Sequence, residues 1–174
     1  IISLFSDNII VDRFCIDSEY IKEGIQADLI LIPSYNIFKL IKPYINKRSE
    51  IVIANRTILK SSLEKIMAIP EGTQALLMDE NVDMASQMVS VIYQLGVRHI
   101  ELTPICPSIN IGIEEKTVIV LGETKYVSNI SNKVIDIGGS LLDVSTIMNI
   151  GAKLNLIHIL QRQNIRKSYK EIVT

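Results

Sequence analysis

Ala27-Asp28-Leu29-Ile30-Leu31-Ile32-Pro33-Ser34 decides the reading of this chain, because it is a short continuous apolar run that stops at a helix-capping residue. A run of strand length with no polar alternation is the mark of a strand covered on both faces, as in a parallel sheet. Ser34 then caps a helix carrying Ile37, Leu40, Ile41 and Tyr44 on one stripe. A second buried run, Glu50-Ile51-Val52-Ile53-Ala54, follows that helix. Strand, helix, strand within this length is a βαβ unit.

Working outward, the same grammar continues. Residues 9–16 are rich in β-branched side chains and read as a strand, and residues 18–24 as a short helix. Ser61-Ser62-Leu63-Glu64 reads as a capping box opening a helix with Leu63, Ile66 and Met67, which Pro70-Glu71-Gly72 breaks. Residues 74–78 form a strand, and Val82, Ala85, Met88, Val89 and Ile92 form a helical stripe that ends at Gly96. Residues 99–105 form a strand ended by Pro104 and Pro107. Strands are expected at 117–121 and 134–137, then a helix with Val144, Ile147, Met148 and Leu154, and a last amphipathic helix over 157–173.

The fold class expected is therefore α/β, with two Rossmann-like lobes of parallel strands flanked by helices, in the manner of periplasmic binding proteins. Strand–helix–strand–helix occurs once in each half, which suggests a pseudo-repeat with a boundary near Pro70 to Thr73. The organisation expected is a first lobe over 1–71, a second over 72–155, and a C-terminal amphipathic helix over 156–174 that packs on the domain or connects to the next module. The chain opens at Ile1-Ile2-Ser3 without methionine and reads as a piece of a longer protein.

Composition narrows the function. Hydrophobic residues make up 48% of 174, and the mean hydropathy is +0.29, which excludes a disordered chain. The apolar runs are far shorter than the ~18 residues of a membrane-spanning helix. Eighteen basic and 19 acidic residues give a net charge of −1 and a pI near 6.2, so bulk charge makes no case for nucleic acid. The basic cluster Arg162, Arg166, Lys167 and Lys170 reads as a solvated helix face. Two distant cysteines, Cys15 and Cys106, are not a disulfide framework and suit a reducing cytoplasm.

No motif carries catalysis. Gly122-Glu123-Thr124-Lys125 lacks the second glycine of a phosphate loop, and there is no dinucleotide fingerprint or nucleophile elbow. His99 and His158 have no partners at metal-ligand spacing and read as structural. The expectation is no catalytic residue, no metal and no cofactor.

Binding has a better-defined place. In open parallel sheets, ligands sit beyond the carboxyl ends of the strands, where helix N-termini gather. The candidates there are Ser34 and Tyr35, Asn55, Arg56 and Thr57, Asp79 and Asn81, Gly122 and Glu123, and Gly139 and Ser140. Arg56 follows a buried strand directly, so its guanidinium either projects into a cleft and forks onto a ligand carboxylate or phosphate, or is a surface arginine paired with a carboxylate of the chain. Ser34 and Ser140 read as helix caps before ligand contacts, and Gly122 and Gly138-Gly139 as tight turns.

Several of these segments carry a resemblance: residues 27–32, Ala54-Asn55-Arg56-Thr57, residues 69–77, residues 91–102, Gly122-Glu123, and Val134-Ile135-Asp136-Ile137-Gly138. Together they resemble the N-terminal sensory region of enhancer-dependent activators of the nitrogen-type sigma factor. Those proteins are similar in plan to the propionate-catabolism regulator and join a bilobal receptor domain to a PAS module, an AAA+ ATPase and a helix-turn-helix. Leu121 stands where that family's Thr-Pro-Gly-Glu turn has proline. The resemblance implies a cytoplasmic bacterial sensor that binds a small-molecule effector, an anionic metabolite among the candidates, and signals to downstream modules of the same chain. It implies no direct contact with nucleic acid or membrane, and leaves a homodimer open. It points to Arg56, Thr57, Gly122 and Glu123 as strand-end contacts. Two alternatives stand beside it: a small bilobal α/β enzyme, similar to uroporphyrinogen-synthase-like or sugar-isomerase-like folds, and a ligand-free dimerisation module.

Overall fold

A computed structural model of the chain describes residues 2–16, 19–108, 115–122 and 133–162. It is α/β, with parallel strands flanked by helices, as the apolar runs predict. The chain forms two compact units, Ile1–Asn55 with the described chain after Leu141, and Arg56–Leu141. The boundary is thus crossed twice, after Asn55 and after Leu141, and not once near Pro70 to Thr73. The pseudo-repeat does not coincide with these units, because the helix that follows Arg56-Thr57 packs into the core of the second one.

In the first unit, β1 (Leu29–Ile32) pairs in parallel with β2 (Glu50–Ile53), Leu29 opposite Glu50 and Ile32 opposite Ile53. Alternate residues of β1 face opposite ways. Leu29 and Leu31 pack with Leu4, Phe5, Val52, Ile147, Ile150 and Leu160, whereas Ile30 and Ile32 pack with Ile21, Ile25 and Ile41. The unbroken apolar run therefore has its cause: both faces are covered. The short helix α1 (Ile2–Phe5) supplies Leu4 and Phe5, and α2 (Tyr35–Ile41) supplies Ile41. Ser34 caps α2, its Oγ accepting from the Ile37 amide at 3.4 Å, while Leu40, expected on the buried stripe, is exposed.

Residues 9–15 make no strand. Ile10, Val11 and Phe14 are exposed, so β-branched content alone has no ladder to join. The helix expected over 18–24 is a 3₁₀ turn, Glu19–Glu23.

In the second unit, four parallel strands lie in the order β5-β4-β6-β7, where β4 is Gln74–Met78, β5 Glu101–Ile105, β6 Thr117–Val120 and β7 Lys133–Asp136. Central β4 and β6 are covered on both faces. Ala75, Leu77 and Ile119 enter one core with Ile66 of α3 (Lys60–Met67) and Ala85, Met88 and Ile92 of α4 (Val82–Gln94), while Leu76, Met78, Val118 and Val120 form another with Ile105. Helix α4 ends in a Schellman cap: Gly96 has φ 97°, and the Val97 amide donates to Ile92 O at 3.4 Å.

Three local expectations need correction. Pro104 lies inside β5, opposite Leu77, and does not end it. Among the described residues β5 is an edge strand bonded only to β4, so one missing N–H is tolerated. The capping box at 61–64 does not form: α3 starts at Lys60 after Leu59, which places Ser61 inside the helix, and the Ser62 hydroxyl donates to Ile137 O. Ser140 caps no helix. Asp143 caps α5 (Val144–Lys153), its Oδ1 accepting from the Thr146 amide at 2.7 Å.

Two two-residue strands, β3 (Arg56–Thr57) and β8 (Leu141–Leu142), pair with each other. The last described helix, α6 (Ile157–Arg162), packs on α5, and the remainder of the helix expected over 157–173 lies outside the described residues. Among the described residues, no helix is long and apolar enough to cross a membrane.

Candidate functional site

Strand order places the site. From β4 the chain passes to β5 on one side and then returns to β6 on the other, so the carboxyl ends of β4 and β6 flank a topological switch point. A cavity of about 690 Å³ opens there, within the range of small-molecule sites. Its apolar wall is Met78, Met84, Pro107, Val120 and Leu121, and its polar wall is Arg56, Asp79, Glu80, Ser108 and Ser140. All of these belong to Arg56–Leu141.

Each polar group is set by an element. β4 ends at Met78, so Asp79 is the first residue beyond the sheet, tied to it by its amide donating to Ile105 O at 3.2 Å. Asp79 Oδ1 accepts from the Glu80 amide at 2.8 Å, which turns the chain toward α4. Asn81 caps that helix, its Oδ1 accepting from the Met84 amide at 2.9 Å.

Arg56, at the start of β3, meets this turn. Its Nη2 lies 2.7 Å from Asp79 Oδ2 and donates to Met84 O at 2.8 Å. The N–H is aimed at the carbonyl, so the approach to Asp79 is an ion pair more than a directed hydrogen bond. Nη1 donates to Ser140 Oγ at 3.3 Å, and Nε is buried with no acceptor. The side chains of Arg56 and Asp79 are 9% and 7% exposed, so the pair is shielded from water and salt. The structure pairs Arg56 with a carboxylate of the chain, in a buried position and not at the surface.

On the β6–β7 side, one carboxylate joins two turns. Asp136 Oδ1 accepts from the amides of Gly122 at 3.0 Å and Gly138 at 2.8 Å. Gly122 has φ 81°, and a Cβ there would stand 3.2 Å from Gly139 N, so both conformation and space require glycine.

Four of the expected contacts therefore meet at one cavity: Arg56, Asp79, Gly139 and Ser140. Gly122 shapes the adjoining turn, Asn81 is a helix cap, and Thr57 is buried. Ser34, Tyr35 and Asn55 belong to the other unit. There Ser34 caps α2, Tyr35 is exposed with Lys39 Nζ 4.8 Å from its ring centre, and the Asn55 amide donates to Thr146 Oγ1 at 2.9 Å. Glu123 lies outside the described residues. Sequence reasoning missed the Met84 carbonyl, which carries no side-chain signal, and Pro107-Ser108. The latter was legible, because it follows a strand parallel to β4.

No protein-family model, curated protein or solved structure is similar enough to this chain to count as a match.

Proposed function

We propose that this chain is a signal-sensing regulatory domain whose Arg56–Leu141 unit binds a small-molecule effector. The observation that carries the reading is the cavity at the switch point of the four-stranded sheet, walled by the turns after all four strands. Asp79, the buried acid of the cavity wall, is committed to Arg56, which favours binding over general-base chemistry. In this reading the effector's occupancy biases the chain between two states and so controls downstream modules of a bacterial transcription regulator. The resemblance to sensory regions of nitrogen-type sigma-factor activators supports that setting. A swing from 1:99 to 99:1 between the states requires about 5.5 kcal/mol of differential affinity.

Gly139 supplies the test. It is exposed at the cavity, its φ is not in the left-handed region, and no atom lies within 4 Å of a Cβ added there. Gly139→Leu is expected to fill the opening without disturbing the fold. Screening metabolites against the intact chain by thermal shift should reveal stabilisation, about 2.7 kcal/mol at one hundred times Kd. Gly139→Leu should keep its melting temperature and lose that response. A response that survives Gly139→Leu unchanged places the binding elsewhere, and the absence of any response across the screen removes the sensor reading.

A further inference from the structure

We infer that the cavity selects an uncharged, hydrogen-bonding ligand, a polyol, sugar or amide, and rejects carboxylates and phosphates. This rests on the effector-binding reading above and names the chemistry of its ligand. From the sequence alone, an anion hook is one of the two readings of Arg56. In the structure the hook is already occupied.

Two positive features adjoin the cavity, and the chain's own acids answer both. The Arg56 guanidinium has Asp79 Oδ2 at 2.7 Å, and the pair is more than nine-tenths buried. The α4 N-terminus has Asn81 as its cap, Asp83 in its first turn, and Asp79 and Glu80 just before it. Arg56 is the single cationic residue lining the cavity among the described residues, whereas Asp79 and Glu80 both line it. An anion entering here meets an arginine that Asp79 already neutralises, and the one lining charge left over, Glu80, is negative.

A cation fares no better inside. It meets the buried guanidinium, while Glu80 is exposed, so its charge is screened by water and salt. Neutral groups suit what remains. Glu80 accepts from hydroxyl or amide N–H groups, the Ser108 and Ser140 hydroxyls both donate and accept, and the methionine, valine and leucine wall covers apolar carbon. The 3.3 Å bond from Nη1 to Ser140 is the longest of the guanidinium's contacts, so a ligand hydroxyl or carbonyl can take that place without breaking the ion pair.

Asp79 is thus the selectivity element, and inorganic phosphate is the probe that tests it. Calorimetric titration of the intact chain at constant ionic strength should show no phosphate binding by the wild type. Asp79→Asn keeps the shape and the acceptor for the Glu80 amide but uncovers Arg56. That variant is expected to bind phosphate at least ~10-fold more tightly than the wild type, and Arg56→Met in the same background should abolish the gain. Circular dichroism establishes that each variant is folded. If Asp79→Asn unfolds, Asp79→Ser, which also removes the charge, takes its place with the same expectation. Phosphate binding by the wild type that Arg56→Met removes overturns the inference, as does a folded charge-removed variant that gains none. A carboxylate or phosphate ester that stabilises the wild type, with Gly139→Leu blocking it, would overturn the selectivity and leave the effector site standing. Failure of every compound, neutral or charged, would instead remove the site.

Discussion

Arg56 illustrates how little a residue's identity says about its role until its partner is known. A guanidinium directly after an apolar strand is legible in the sequence as a group aimed at a strand end, and so is Asp79. That the two neutralise each other is decided by the fold, which brings β3 beside the turn after β4. Burial makes the pair consequential in one direction: removing one partner leaves an uncompensated charge out of water, which costs about 3–5 kcal/mol, whereas replacing both with apolar groups costs far less. Urea unfolding should accordingly show Arg56→Ala destabilising the chain by about that amount, and Arg56→Met with Asp79→Leu by clearly less than the two single variants summed. Additive losses would mean that the pair is not energetically coupled.

At the element scale, period and caps were legible where local rules act alone. β4 and α4 fall where the apolar run and the stripe predict, because β4 buries alternate side chains in two cores and α4 buries its stripe in one. Local rules failed where a distant partner intervened. Helix α3 starts at Lys60, ahead of Ser61, so the capping box never forms, while the Ser62 hydroxyl donates to the distant Ile137 O, and Pro104 remains in β5 because an edge strand forgives its missing donor. Residues 9–15 failed for the opposite reason, since they have strand-forming side chains but no neighbouring strand. Asn81 is a ligand-contact candidate by its place at a strand end, and its bond to the Met84 amide makes it a cap. Asn81→Ala is expected to cost about 1 kcal/mol in chemical unfolding. It should leave effector binding by the wild-type cavity intact, which thermal shift with the same compound checks.

For the whole molecule, the two units differ in how the chain supplies their cores. Arg56–Leu141 is continuous, and its larger core draws only on residues between Ile58 and Ile137. The other unit is assembled from both ends of the chain: Leu4, Phe5 and Val52 pack with Ile147, Ile150 and Leu160. An excised 56–141 fragment is therefore expected to unfold cooperatively in urea by circular dichroism. A chain stopped after Leu141 should retain that transition and lose the transition of the first unit, whose core is then incomplete. A single transition lost in both would show that neither unit is stable alone.

The sequence by itself determined the fold class of this protein: buried apolar runs spaced by helical stripes admit a parallel α/β fold, and the polar strand ends mark the candidate positions for a site. Only the tertiary structure decided which strand ends share a cavity, where the chain passes between units, and that Arg56 is already neutralised. The physical reason is range. Periodicity and capping are set by neighbours a few residues away, whereas charge pairing, strand order and the closure of a core depend on residues that meet only when the chain has folded.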